Sequence, residues 1–354
     1  PTPTAIITKY IRNDLAIVSK KVNVQKFRYV EKINAGDKEL YQVSSKISGD
    51  LEQTISGVSY DGSNSQQGTS GMGAEANISL SSSKDLDNGL ASKYGFTLED
   101  GTVDSYHLTV GTEAIGVTLA NDHGSNTSNT TIPFVSDTFE TVVRDNVAGN
   151  TTKISYQNHG VGNAHDKAHI ALGGKNSGVE YLVRYAPSSQ NRASDSDISG
   201  STNKDNGGSV SEALVKGSIN GVGFLAGVEK AEKDFNASSV TAEDIKFKTY
   251  GLSYNFGQFA VGVTKKEKED GTAGREDDSI QYGASVALSD NFTAGVYYLE
   301  NDRNTASEDE EVKMAQVGYN FGGLGLELSY AEAESAGFTA GADYDIWQLR
   351  TKQK

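Results

Sequence analysis

Along most of this chain, side chains alternate between large apolar and small or polar, and that alternation constrains the fold more than any other feature. In Phe259-Ala260-Val261-Gly262-Val263-Thr264 the large apolar residues occupy every second position before the segment runs into the charges from Lys265 to Glu269. Successive side chains of a strand point to opposite faces, so a period of two describes a strand whose faces meet different surroundings. The theme returns. Val222 to Val228, Phe259 to Val263 and Phe292 to Val296 align on Gly227, Gly262 and Gly295, at a nearly constant interval. Tight turns such as Tyr254-Asn255-Phe256-Gly257 and Tyr319-Asn320-Phe321-Gly322 alternate with longer charged stretches. Strand, short turn, strand, long loop is the repeat of an antiparallel meander.

Ile280, Tyr282, Ala284, Val286 and Leu288 form one face of a strand, while Gln281, Gly283, Ser285 and Ala287 form the other. The apolar face of such a strand packs on a core in a soluble sandwich and meets lipid in a membrane barrel. Aromatics decide between these. Tyr254, Phe256, Phe259, Phe292, Tyr319 and Phe321 gather at the short-turn ends and Tyr298 and Tyr330 nearer the loop ends, as two interfacial girdles require. Hydrophobic content of 36% fits, because only half of a barrel strand faces lipid. No run approaches the roughly 20 apolar residues that a membrane helix needs. Backbone groups in hydrocarbon must all be paired, so the strands have to close into a cylinder. The four prolines, Pro1, Pro3, Pro133 and Pro187, interrupt no strand pattern. Absence of cysteine suits an oxidising envelope compartment. A net charge of −15 argues against a nucleic-acid partner. No export signal is visible, which for an exported protein implies a mature or incomplete sequence.

Residues 1–45 differ in character, with eight Lys or Arg against four Asp or Glu in a chain that holds 32 against 47. They read as an N-terminal extension, with Ala5 to Ile11 and Val22 to Val30 as possible strands. Barrel character covers 46–354. Strands are expected over 46–59, 74–82, 90–99, 105–111, 115–120, 151–157, 179–186, 212–219, 222–230, 245–254, 259–265, 280–288, 292–300, 312–319, 324–330 and 344–351. The fold class expected is thus all-β, a 16-stranded antiparallel transmembrane β-barrel, its even strand number being usual for a closed single chain. One connection, Asn121 to Asn150, is too long for a hairpin loop and is the third long loop of the meander. Asp137 and Glu140 resemble a capping box, and Phe139, Val142, Val143 and Val147 share a helical face that Gly149 could end.

Residues 46–354 resemble a general porin of the Gram-negative outer membrane, of the alphaproteobacterial type. The resemblance is carried by Ile47-Ser-Gly-Asp-Leu-Glu52, Asp87-Asn88-Gly89-Leu90, Ile154-Ser-Tyr-Gln157 and Tyr344-Asp-Ile-Trp-Gln-Leu-Arg350, in that order around one long third loop. The chain departs from that family in ending at Lys354 rather than at a phenylalanine, and in residues 1–45. The resemblance implies that the third loop folds inward to narrow the pore and that three chains associate. It makes Asn121 to Asn150 the constriction loop, with Asp122, Asp137, Glu140 and Asp145 as its acids and Arg144 as its base. If apolar residues face out, lumen parity falls on Lys93, His107, Lys153, Arg184 and Lys216, the wall candidates. Acids on the loop facing bases on the wall would set ion preference.

The expected function is passive diffusion of small hydrophilic solutes and ions across the outer membrane, mildly cation-selective, by a homotrimer set among lipid and lipopolysaccharide. The alternative is a soluble or surface-attached all-β adhesin. No enzyme motif, cofactor site or metal site is expected. His165-Asp-Lys-Ala-His169 superficially matches a metalloprotease helix, but Gly160, Gly162, Gly173 and Gly174 around it speak against a helix. The acidic runs Asp195 to Asp205 and Ser307 to Glu311 read as solvated loops.

Overall fold

A computed structural model describes residues 26–29, 43–61, 69–86, 88–135, 164–187, 209–232, 244–270 and 275–353. Seventeen strands occur among them, namely β1 Lys26–Tyr29, β2 Val43–Asp61, β3 Thr69–Asp85, β4 Ala91–Glu99, β5 Thr102–Gly111, β6 Gly116–Asn121, β7 His169–Asn176, β8 Val179–Ala186 and β9 Val210–Ile219. The remainder are β10 Val222–Ala231, β11 Ile245–Phe256, β12 Phe259–Asp270, β13 Arg275–Ser289, β14 Phe292–Arg303, β15 Glu310–Asn320, β16 Leu324–Glu334 and β17 Asp343–Gln353. From β2 to β17 each strand pairs antiparallel with the next, and β17 returns to β2 with Asp343 opposite Asp61 and Gln353 opposite Leu51. This is a closed 16-stranded barrel. Strand β1 pairs with Val43 to Lys46 of β2. Because β3 occupies the other edge of β2 there, β1 extends the column of β17 past its end.

Alternation sets the two faces. Val183, Leu252 and Val296 are about 60% exposed on the outer wall, whereas Arg184, Thr264 and Gln281, one residue out of phase with such positions, are at most 1% exposed on the inner wall. Outer aromatics pack along the short-turn rim: Tyr254 stacks on Phe256 at 5.8 Å and Phe256 on Phe259 at 5.6 Å, while the Tyr319 and Phe321 rings lie tilted at 4.4 Å. Tyr282 and Tyr298 lie 6.3 Å apart toward the other rim. Amphipathic rings at the rims of a membrane barrel suit the headgroup region. Two-residue turns use positive φ, at both central positions in Asn220 (52°) and Gly221 (82°) and at Gly257 (82°) between Phe256 and Phe259. Among the described residues no helix is long and apolar enough to cross a membrane.

Two sequence expectations are corrected. The sixth barrel strand is His169–Asn176, not 151–157, which lies outside the described residues. Between β6 and β7 the described residues are 122–135 and 164–168, and the rest of the expected third loop lies outside them. Of the glycines that argue against a helix near His165, Gly173 and Gly174 lie in β7, where Gly173 sits opposite Gly116 and Leu182. The inner wall is also less uniformly polar than parity implies. Tyr297, Leu299, Val312, Met314, Tyr344 and Ile346 are buried there, in a cluster that includes Ile132 of the third loop and Ala336 of the last loop. Apolar inward positions are affordable where an inserted loop covers them, since they are then removed from water as in any core.

Candidate constriction site

The third loop enters the barrel at a closed neck. Asp122, in the left-handed region at φ 49°, donates its N–H to the His165 carbonyl at 2.8 Å, and Asn121 donates its amide to the Asp166 carbonyl at 2.6 Å. From there residues 123 to 135 cross the inner wall and are tied to it strand by strand. Arg184 of β8 donates to the carbonyls of His123 and Ser125 at 3.0 and 2.9 Å. Thr127 donates its N–H to the Glu212 carboxylate of β9 at 2.5 Å, and Lys266 of β12 donates to the Ser128 carbonyl at 2.7 Å. Thr131 donates its N–H to the Thr264 hydroxyl at 3.0 Å and its own hydroxyl to the Val263 carbonyl at 2.9 Å. Farther on, Val135 donates its N–H to the Tyr297 hydroxyl at 2.6 Å, while the Phe134 and Tyr297 rings lie 4.8 Å apart. Loop carbonyls and N–H groups out of bulk water need such partners.

Glycine makes room for this path. A Cβ on Gly227 would lie 2.8 Å from the Thr127 methyl, on Gly262 2.6 Å from the Thr131 carbonyl oxygen, and on Gly295 2.9 Å from Val135. These three are the glycines on which the sequence repeat aligns. They face inward beneath successive loop residues, so the repeat encodes a seat for the loop as well as a strand.

Of the wall candidates, Lys93, His107 and Arg184 line one cavity of about 450 Å³ together with His123, His169 and Lys175. Lys216 lines a second, of about 690 Å³, where its ammonium is 3.8 Å from Glu180. The His107 and His123 rings stack at 3.8 Å with planes 15° apart. Burial, then the neighbouring His107 and Arg184, push His123 down to about 4, so it is neutral at physiological pH. Lys153, Asp137, Glu140, Arg144 and Asp145 lie outside the described residues. Asp122, one of the expected loop acids, lies at the neck. Its carboxylate is 2.9 Å from the His165 Nε2, and His165 Nδ1 pairs with Asp166. Burial alone would lower His165, but these two carboxylates outweigh it and hold the imidazole up to about 9, as a cation. The two histidines of His165-Asp-Lys-Ala-His169 therefore part, one to the neck and the other into β7.

Sequence reasoning did not single out Glu212, Thr264, Lys266 or Tyr297. Each sits at lumen parity, but what distinguishes it is the loop residue opposite, which is far away in the chain.

A sequence model of the Gram-negative porin family matches residues 34–351. Among solved structures the fold is similar to an anion-selective porin from Comamonas acidovorans, with a TM-score of 0.59 at 15% identity over 88% of this chain and 99% of that one. It is also similar to the outer-membrane expressed OmpT of Vibrio cholerae, with a TM-score of 0.56 at 12% identity over 92% and 99%. A mutant of Rh. blastica porin gives 0.52 at 16% identity over 87% and 99%. An uncharacterized PabA-like protein of Pasteurella multocida is 51% identical over 47 residues, which are 13% of this chain and only 14% of that protein's length. The family match spans the barrel and the inserted loop alike, so this chain belongs to the Gram-negative porin family and forms a passive channel through the outer membrane.

Proposed function

We propose that the channel passes small hydrophilic solutes and ions with a mild preference for cations, without enzymatic activity, as a homotrimer in contact with lipopolysaccharide. The observation that supports this reading is the path of residues 122–135 along the inner wall; Asp137, Glu140 and Asp145 follow in sequence, outside the described residues, and the reading assigns them to the lumen. Asp122 lies at the neck, where it shares the His165 ring with Asp166. Those three acids outnumber Arg144, and charges in a narrow passage act at short range while the loops outside are screened beyond roughly 8 Å. This reading assigns the opposing wall to Lys93, His107, Lys153, Arg184 and Lys216. Within this reading residues 1–45 are an extension to a barrel over 46–354, although pairing of β2 opens at Val43.

A second reading, anion preference, is favoured by Lys93 and Lys175 in one cavity beside the loop and Lys216 in the other. The Comamonas porin with a similar fold is described as anion-selective. The zero-current potential in a salt gradient across a planar bilayer distinguishes the two. Substituting Asp137→Asn, Glu140→Gln and Asp145→Asn together should shift it toward anions. An unmoved potential would show that these acids do not line the constriction.

A further inference from the structure

We propose that Asp122, His165 and Asp166 form a binding site for a divalent transition-metal cation, of the zinc type, that clasps the neck of the third loop. One ligand atom from each residue lies within 4.8 Å of the others. The three come from the two ends of the loop, Asp122 directly after β6 and the other two from the 3-10 turn Ala164–Asp166 ahead of β7. A cation held by all of them would therefore join the loop's entry to its exit.

The frame that carries these side chains is already fixed. Besides the two backbone-directed hydrogen bonds between Asn121, Asp122 and the 3-10 turn, Ala164 is fully buried against Ala186, Val210 and Ala231 and donates its N–H to Glu229 at 3.4 Å. Burying the turn by its alanine leaves the ligands half-exposed, with side-chain exposures of 20% for His165, 37% for Asp122 and 35% for Asp166. An ion can therefore reach them from solvent, and ligands on a fixed backbone lose little freedom when they bind it.

The donor set points to a class of ion. One imidazole nitrogen and two carboxylate oxygens suit zinc or a neighbouring divalent transition metal, with remaining positions left for water. Calcium and magnesium take oxygen ligands and gain little from the imidazole. The His165 ring already gathers both carboxylates, Asp122 at Nε2 and Asp166 at Nδ1. When the ion binds one ring nitrogen, any proton on that nitrogen goes to solvent and the carboxylates turn from the ring to the metal. The site goes beyond ion preference, and does not depend on which ions the pore favours.

The test is calorimetric titration of ZnCl2 into the full-length, chelator-stripped protein in detergent, with MgCl2 as a control. One zinc per chain is expected, with magnesium at least tenfold weaker. Asp122→Asn and His165→Asn should each weaken zinc by tenfold or more while the barrel keeps its heat-modifiable migration in gels. If either variant loses the barrel, Asp166→Asn replaces it, and the absorption spectrum of Co2+ added to the unaltered protein reads nitrogen and oxygen ligation directly. Absence of zinc binding by the unaltered chain, equal binding by the variants, or a cobalt spectrum identical to that of the hydrated ion would each overturn the site.

Discussion

Arg184 and Glu212 face one another across β8 and β9, register partners whose side chains form an ion pair that is almost fully buried beneath the third loop. Glu212 also receives the Thr127 N–H, and Arg184 holds two loop carbonyls, so the pair is the junction between wall and loop. Removing one member leaves the other charged and buried, which typically costs about 3 to 5 kcal/mol. Arg184→Met should lower the denaturant midpoint and increase open-channel current noise. The double variant with Glu212→Gln should recover part of the stability but not the quiet current, because the loop carbonyls stay unheld. Recovery of both would mean that the pair stabilises the wall alone.

Gly262→Val tests the seat of the loop. The new Cβ would meet the Thr131 carbonyl oxygen at 2.6 Å and the Ile132 Cα at 3.1 Å. Both are backbone atoms, so no rotamer change relieves the clash, and overpacking of this kind costs typically 1 to 3 kcal/mol. A shifted single-channel conductance with the barrel still heat-modifiable is expected. Conductance equal to that of the unaltered protein would place the loop elsewhere in the membrane-bound channel.

Tyr297→Phe removes the hydroxyl that accepts from Val135 and donates to the Pro133 carbonyl at 3.3 Å. The ring and its packing on Phe134 remain. Leaving an N–H without its partner costs on the order of 1 to 3 kcal/mol. The expected outcome is faster amide hydrogen exchange at Val135, with exchange in the barrel strands unchanged.

Asp309, in the loop between β14 and β15, has its carboxyl pushed above the ordinary aspartate value of 3.8, by burial first and then by Asp302, Glu300 and Glu311. A carboxyl raised in the folded state binds its proton more tightly there than in the unfolded chain. Its ionised form therefore weighs against folding at neutral pH, and the penalty fades as pH falls through the raised value. Asp309→Asn should be at least as stable as the parent at pH 7, with the difference vanishing below pH 3.8. Thermal melts at pH 7 and pH 3.5 check the sign, and a destabilised variant at pH 7 would contradict it.

The alternation of Ile280 to Leu288 and the aromatics at Tyr254, Phe256, Phe259 and Tyr319 made the barrel and its two rims legible in the chain alone. A strand's period is local, and lipid imposes the same rule on every strand, so each segment carries its own evidence. Even Gly227, Gly262 and Gly295 were visible as a repeat, although their purpose was not. The site was legible only by parity, which placed Lys93, His107, Arg184 and Lys216 on the inner wall without saying what they meet. Where β7 begins, why Asp122 turns to His165, and which wall groups hold the loop follow from contacts between residues far apart in sequence. A loop inside a closed barrel is surrounded on all sides, so its partners are fixed by the closure of the cylinder; no local pattern along the chain records which strand will stand opposite Thr127, Thr131 or Val135.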